Sequence, residues 1–78
     1  MQKIANYKKC SLDARARERT DGQGYTAEVY VRQPDGDSDV VTPFNLKETF
    51  PSAEAAIEAA LQAGRYKVDV GFEPKSIV

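Results

Sequence analysis

The chain has 78 residues, of which 41% are hydrophobic and 29% are charged, and its formal net charge is −1. This composition is typical of a folded globular domain and excludes a disordered chain, because the apolar content is high enough to form a core. The single cysteine excludes an internal disulfide and favours a reducing compartment. We therefore expect one small cytoplasmic domain over residues 1–78, with neither a signal peptide nor a membrane-spanning segment.

Two stretches with alternating apolar and polar residues predict the first two strands. In residues 10–17 this alternation favours a strand, although the arginine-rich Leu-Asp-Ala-Arg-Ala-Arg-Glu-Arg at 12–19 has a composition that favours a helix. Residues 25–32 alternate in the same way and are rich in β-branched and aromatic residues. Between them, Asp21-Gly22 favours a two-residue hairpin turn, and a four-residue loop that ends at Gly24 keeps the same parity. Both connections place the apolar residues of the two strands on one face.

A turn and a third strand follow this hairpin. Gln33-Pro-Asp-Gly36 has the residue types of a type I turn, with proline second and glycine fourth. The run from Val40 to Phe44 predicts a strand. Pro43 favours an edge position for this strand, because proline cannot donate a ladder hydrogen bond.

The next element is a helix. Ser52 is the expected N-cap, and Gly64 is expected to end the helix. Residues 66–72 then alternate like a last strand, although helical spacing leaves an extension of the helix to Asp69 open. The prediction is an α+β fold in which one helix packs on a small antiparallel sheet, in the order β-β-β-α-β. The expected core residues are Leu12, Val29, Val31, Ile57 and Leu61.

The candidates for catalysis or metal binding lack the partners that such chemistry requires. Cys10 falls on the apolar face of the first strand, and the chain has no histidine to activate it. Asp35-Gly-Asp37-Ser-Asp39 begins like a calcium-binding loop, but the glycine and glutamate that an EF-hand requires further along are absent. The sequence therefore predicts no enzyme, no metal site and no cofactor.

The polar side of the first hairpin carries a cluster of basic residues. Two acidic residues, Asp13 and Glu28, share this side and leave a surplus of three positive charges. The expected register sets Arg15 opposite Glu28 as an opposite-charge pair, which a charged solvent face of a sheet would also show. The alternative is a surface for nucleic acid phosphates, with one aromatic ring for stacking. The candidate contact residues, for nucleic acid or for another partner, are Lys9, Arg15, Arg17, Arg19, Tyr30 and Arg32.

Two short segments resemble known families. The first resemblance rests on the segment Gly-Tyr-Thr-Ala-Glu-Val-Tyr-Val-Arg at 24–32, on Phe44 and Phe50, and on the helical segment 51–64. In these features the chain is similar to small uncharacterised bacterial proteins in which a strand meander is followed by an F-x-S/T-x-E-x-A helix. The same order resembles, more weakly, the three-stranded DNA-binding domain of plant ethylene-response transcription factors and phage-type integrase arms. That second resemblance implies DNA contact through the sheet. The chain departs from it in having no tryptophan and a slightly acidic net charge.

The expected function is that of a non-catalytic binding or interaction domain. Its partner is an unknown protein or a second copy of the chain, and it does not act at a membrane. Two chains can pair if the third or the last strand leaves an open sheet edge, and Asp39 to Thr42 carries few charges that oppose such pairing. The alternative function is nucleic-acid binding through the basic polar face of the sheet.

Overall fold

Residues 1–70, which the computed structural model describes, form four antiparallel strands followed by one helix. The elements are β1 (Gln2–Tyr7), β2 (Cys10–Glu18), β3 (Tyr25–Asp35), β4 (Ser38–Asn45) and α1 (Ala53–Val70). The sheet is a meander in the order β1-β2-β3-β4, and α1 packs on one of its faces, mainly over β2 and β3. The predicted α+β class is confirmed, and the order of elements is β-β-β-β-α.

The hairpin of β2 and β3 has the predicted register but a different loop. All three expected apolar pairs form, beginning with Leu12 opposite Val31. The predicted two-residue turn is wrong, because the Arg19 N–H donates to the Gly24 carbonyl at 2.8 Å and closes a four-residue loop. A type I′ turn needs a positive φ at both central residues, and of Asp21 and Gly22 only Gly22 has one, at 72°.

Strand β1 is an element that the sequence did not predict. It pairs with β2 so that Ala5 lies opposite Leu12 and Tyr7 lies opposite Cys10. The connecting turn consists of Lys8 and Lys9, whose φ values are 49° and 70°. Positive φ in two-residue hairpin turns usually comes from glycine, asparagine or aspartate. Two lysines therefore give no turn signal, and the strand before them was missed.

Strand β3 continues through the segment that was predicted as a turn. That prediction is wrong: Pro34 belongs to β3, and the turn consists of Gly36 and Asp37, with a φ of 67° at Gly36. Pro34 is tolerated because the even-numbered residues of β3 direct their backbone groups towards β2, whose pairing with β3 ends at Arg32. Its missing N–H therefore removes no ladder bond. The expected edge position of Pro43 is confirmed, since β4 is an edge strand.

Helix α1 begins as predicted. The Ser52 hydroxyl accepts a hydrogen bond from the Ala55 N–H at 3.1 Å, which confirms Ser52 as the N-cap. The helix passes through Gly64 and ends at Val70, so the predicted last strand is wrong over residues 66–70, where the helical alternative is correct. The rest of that predicted strand, at residues 71–72, lies outside the described residues.

Gly64 lies in the helix for reasons of packing rather than to end it. Its Cα side is buried against Leu12 and Val29, and a Cβ added there would lie 3.1 Å and 3.2 Å from methyl carbons of these two side chains. The absence of a side chain lets the helix approach the sheet closely. Beyond it, the Asp69 carboxylate accepts a hydrogen bond from the Tyr7 hydroxyl at 2.9 Å and pairs with Lys8 at 2.6 Å. These contacts hold the last turn against the β1–β2 hairpin.

The core lies between α1 and the sheet. The five expected core residues are buried, with Leu12, Val29 and Val31 fully so. Small side chains complete it and allow the close approach of the helix. No helix within residues 1–70 combines the length and apolar character needed to cross a membrane. The other buried core residues within residues 1–70 are Cys10, Ala14, Ala16, Ala27, Ala56, Ala60 and Gly64.

Candidate functional site

The face of the sheet opposite α1 is not covered by any part of residues 1–70. Residues that pair directly across neighbouring strands share a face, so the register defines this surface, which we call the outer face. It is formed by Gln2, Ile4, Asn6, Ser11, Asp13, Arg15, Arg17, Thr26, Glu28, Tyr30, Arg32, Pro34, Asp39, Val41, Pro43 and Asn45.

Four of the six predicted contact residues lie together on the outer face. Arg15 and Arg17 come from β2, and Tyr30 and Arg32 come from β3. The remaining two, Lys9 and Arg19, lie just before and just after β2, which places them roughly 30 Å apart at opposite ends of the strand. The structure therefore brings four of the six predicted residues together and places Lys9 and Arg19 at opposite ends of β2.

Arg15 is held by two neighbours at the centre of the outer face. Its guanidinium pairs with the Asp13 carboxylate at 2.9 Å and lies 4.6 Å from the centre of the Tyr30 ring. The expected pair with Glu28 does not form, although Glu28 lies opposite in the register. Instead, the Glu28 carboxylate accepts a long hydrogen bond of 3.4 Å from the Tyr30 hydroxyl.

The electrostatics of this cluster follow from the same contacts. The hydrogen bond from Arg15 is the main cause that lowers the pKa of Asp13, and a hydrogen bond of 2.9 Å from the Gln2 amide adds to the effect. The Asp13 carboxylate raises the pKa of Arg15 in return. Both groups remain charged at neutral pH, so the cluster presents fixed charges rather than an exchangeable proton.

The other arginines differ in how far they are paired. Arg32 lies 3.4 Å from the Asp39 carboxylate, and Arg19 makes a two-pronged contact with Asp21 in the hairpin loop at 2.6 and 3.0 Å. Within residues 1–70, the side chain of Arg17 has neither a hydrogen bond nor an ion pair, and it is exposed. It is therefore the arginine of the outer face that is available to a charged ligand.

The outer face has no net formal charge. Its three arginines are matched by the carboxylates of Asp13, Glu28 and Asp39. The sequence predicted a surplus of three positive charges because it counted the two terminal basic residues and did not place Asp39 on this face. Asp39 was missed because the position of β4 depends on the turn at Gly36-Asp37, where the predicted turn was wrong.

A depression on the outer face is lined by residues of all four strands. Ile4 is 63% exposed and Val41 is 43% exposed, and both contribute with Tyr30 to this depression of about 350 Å³. Asp13, Arg15 and Arg32 belong to the two central strands and lie between Ile4 and Val41. Ile4 and Val41 were not among the predicted contact residues, because both lie on strands whose faces the sequence pattern did not assign.

The remaining candidates from the sequence are not part of a common site. Cys10 is buried in the core on the helix side of the sheet, with 7% of its surface exposed. The acidic segment at residues 35–39 forms the tip of the β3–β4 hairpin. The part of the chain that the structure describes holds no cluster of three or more metal-ligating residues. No known protein family, curated protein or solved structure matches the chain.

Proposed function

We propose that the chain is a non-catalytic binding domain that holds a protein partner on its outer face. The observation that carries this proposal is a sheet face that residues 1–70 leave uncovered, with Tyr30 and charged residues on its central strands and the exposed apolar side chains of Ile4 and Val41 on its two edge strands. Tyrosine and arginine are enriched in protein–protein interfaces, where exposed apolar side chains are also covered. The partner is another protein or a second copy of this chain.

The charges of the outer face favour a protein over a polyanion. Arg15 and Arg32 already have carboxylate partners at Asp13 and Asp39, and the face as a whole is neutral. A surface that carries both signs of charge complements a mixed protein surface, whereas binding to nucleic acid is dominated by positive charge.

The cytoplasmic and non-catalytic parts of the proposal are supported by the sequence and by the placement of Cys10. The chain contains no histidine that could activate a nucleophile. Its single cysteine cannot form an internal disulfide, which fits a reducing compartment. The thiol is enclosed in the core, where a substrate cannot reach it without local opening.

Affinity capture from a lysate of the source cells tests the proposal with two matched double variants. Tyr30→Ala/Val41→Ala removes a tyrosine and a valine from the outer face. Tyr66→Ala/Val70→Ala removes the same residue types from the exposed side of α1, where they are 63% and 56% exposed. We expect proteins captured by the wild type to be lost with the first variant and kept with the second. Equal capture by both variants would refute a role of the outer face.

Nucleic-acid binding is the second candidate, and two observations favour it. The side chain of Arg17 is exposed and unpaired within residues 1–70, and the Arg15 guanidinium lies 4.6 Å from the centre of the Tyr30 ring, an arrangement that offers a stacking surface to a single strand. Contacts with phosphates would give a log–log salt slope of about −0.9 for each contact with a duplex.

NMR titration with short single-stranded and duplex DNA and RNA at low salt separates the two candidates. Since the outer face is neutral, we expect no shifts. Chemical-shift changes confined to residues 9–19 and 26–32, and lost in Arg15→Glu/Arg17→Glu, would make nucleic-acid binding the favoured function. Lys9 and Arg19 would then extend the contact at the two ends of β2.

A further inference from the structure

The two edges of the sheet present different backbone groups. At the β1 edge, the Ala16 N–H donates to the Met1 carbonyl at 2.8 Å. In an antiparallel pair, residues alternate between those bonded to the neighbouring strand and those facing away. Lys3, Ala5 and Tyr7 therefore bond to β2. Within residues 1–70, the N–H and C=O groups of the edge that have no strand partner belong to Gln2, Ile4 and Asn6.

The β4 edge is interrupted in a way that the β1 edge is not. The Leu46 N–H donates to the Ala27 carbonyl at 3.0 Å, so the outward positions of β4 are Asp39, Val41, Pro43 and Asn45. Pro43 has no N–H to offer, and a charged side chain such as Asp39 also opposes the addition of a strand. None of the three outward positions of β1 is charged or a proline. The open edge of the sheet is therefore β1.

We infer that two copies of this chain pair antiparallel through their β1 strands and form one continuous eight-stranded sheet. This inference goes beyond the proposed function, because it places a second copy at the β1 edge rather than on the outer face. The two-fold axis passes beside Ile4, so that Ile4 of one copy lies opposite Ile4 of the other.

The side chains of β1 select this register. With Ile4 at the centre, Gln2 lies opposite Asn6 of the second copy, and the two amides are matched. On the helix side, Lys3 lies opposite Ala5 of the second copy. A register centred on Lys3 would set two lysines directly opposite each other, and like charges in that position destabilise a sheet. The pairing centred on Ile4 also covers an exposed apolar side chain on each copy.

The two helices fit in this arrangement. Helix α1 packs mainly over β2 and β3, with fewer contacts to β1. Strands lie about 4.8 Å apart, so the two helix axes would be separated by about 19 Å, compared with a helix diameter of about 10–12 Å. Neither helix therefore blocks the edge. The area buried by one short strand is below that of a stable interface, so we expect a weak dimer that forms at high protein concentration.

Sedimentation velocity over a range of protein concentrations, up to the millimolar range, tests the pairing with charge variants at the axis. Ile4→Lys or Ile4→Glu places two like charges opposite each other, and each should weaken dimerisation about tenfold. Mixing the two variants should restore it, because the opposite charges then meet. Val40→Lys is the control, since it adds the same charge at an exposed apolar position of the opposite edge strand that is not part of the outer face.

A monomer at every concentration would overturn the inference, as would equal weakening by Ile4→Lys and Val40→Lys. Amide hydrogen exchange gives a second measurement that needs no variant. The N–H groups of Ile4 and Asn6 should become protected as the concentration rises, while that of Val41 should not. A failure of the pairing leaves the outer-face proposal unaffected, because the capture assay tests Tyr30 and Val41, which lie away from the β1 edge. Equal capture by the two double variants, with the pairing intact, would instead refute the outer-face proposal alone.

Discussion

Gly24 connects the β2–β3 hairpin to the segment that leads into the helix, and its replacement should be costly. Its φ is 107°, and a Cβ at this position would lie 2.8 Å from the Phe50 carbonyl oxygen. That oxygen accepts a hydrogen bond from the Tyr25 N–H at 2.9 Å, and the Phe50 N–H donates back to Tyr25 at 2.9 Å. Gly24→Ala therefore combines backbone strain with displacement of this bridge.

Gly22→Ala is the matched control for the backbone strain. Gly22 has a φ of 72°, and an added Cβ would meet nothing within 4 Å. Positive φ costs an ordinary residue roughly 1–2 kcal/mol, and this cost applies to both variants. The two hydrogen bonds of the Tyr25–Phe50 bridge contribute about 0.5–1.5 kcal/mol each. Gly24→Ala should therefore destabilise the fold by about 1–3 kcal/mol more than Gly22→Ala.

Urea unfolding followed by circular dichroism measures this difference, provided that both variants unfold with the slope of the wild type. The expected difference is a large part of the total stability of a domain of this size, about 4–12 kcal/mol. Equal free energies of unfolding for the two variants would show that the Phe50 carbonyl yields without cost. The close approach at Gly24 would then not stabilise the entry into α1.

Three further substitutions test the packing, the ion pair of the last helical turn and the first turn. Leu61→Ala should reduce the free energy of unfolding by about 2–5 kcal/mol, because Leu61 is 2% exposed in the core, and an unchanged thermal melt would refute the packing. Asp69→Asn should lower the melting temperature at neutral pH. The hydrogen bonds from Lys8, and then from Tyr7, lower the pKa of Asp69 below its ordinary value of 3.8. The ionised carboxylate therefore stabilises the fold fully at pH values above 3.8, and this contribution is lost as the pH falls through the lowered pKa. The difference from the wild type should therefore vanish in acid, and a constant difference would contradict it. Lys9→Gly should stabilise the fold by about 0.5–1 kcal/mol because it relieves a positive φ of 70°, whereas Lys9→Ala should not.

The parts of the fold that were predicted correctly are those in which several local signals agree. The alternation of β2 and β3 and the N-cap at Ser52 each follow from residues close together in the chain. The errors come from residues whose meaning depends on distant contacts. Gly64 has the sequence appearance of a helix end, but its role is set by Leu12 and Val29, which are far away in the chain. No local pattern reports such a contact.

The candidate site was predicted in part for the same reason. Arg15, Arg17, Tyr30 and Arg32 share a face because two neighbouring strands fix their positions. The charge of that face depends on Asp39, which belongs to β4 and comes into place only through the turn at Gly36-Asp37. Leaving Lys9 and Arg19 outside the face removes two of the three surplus positive charges, and the turn that places Asp39 on the face removes the third.

The outer face and the β1 edge are adjacent, so the two proposed modes of binding are linked. The side chain of Ile4 lines the depression of the outer face, and its backbone groups belong to the open β1 edge. Pairing through β1 would join two outer faces and bring both depressions to the two-fold axis. A partner that contacts both copies would then bind more tightly than one that contacts a single copy, because its second contact is made within the same complex. By linkage, such a partner must strengthen the dimer by the same factor. A partner confined to one copy, away from Ile4, would leave the dimer unchanged, so the effect of a captured partner on sedimentation shows which part of the surface it covers.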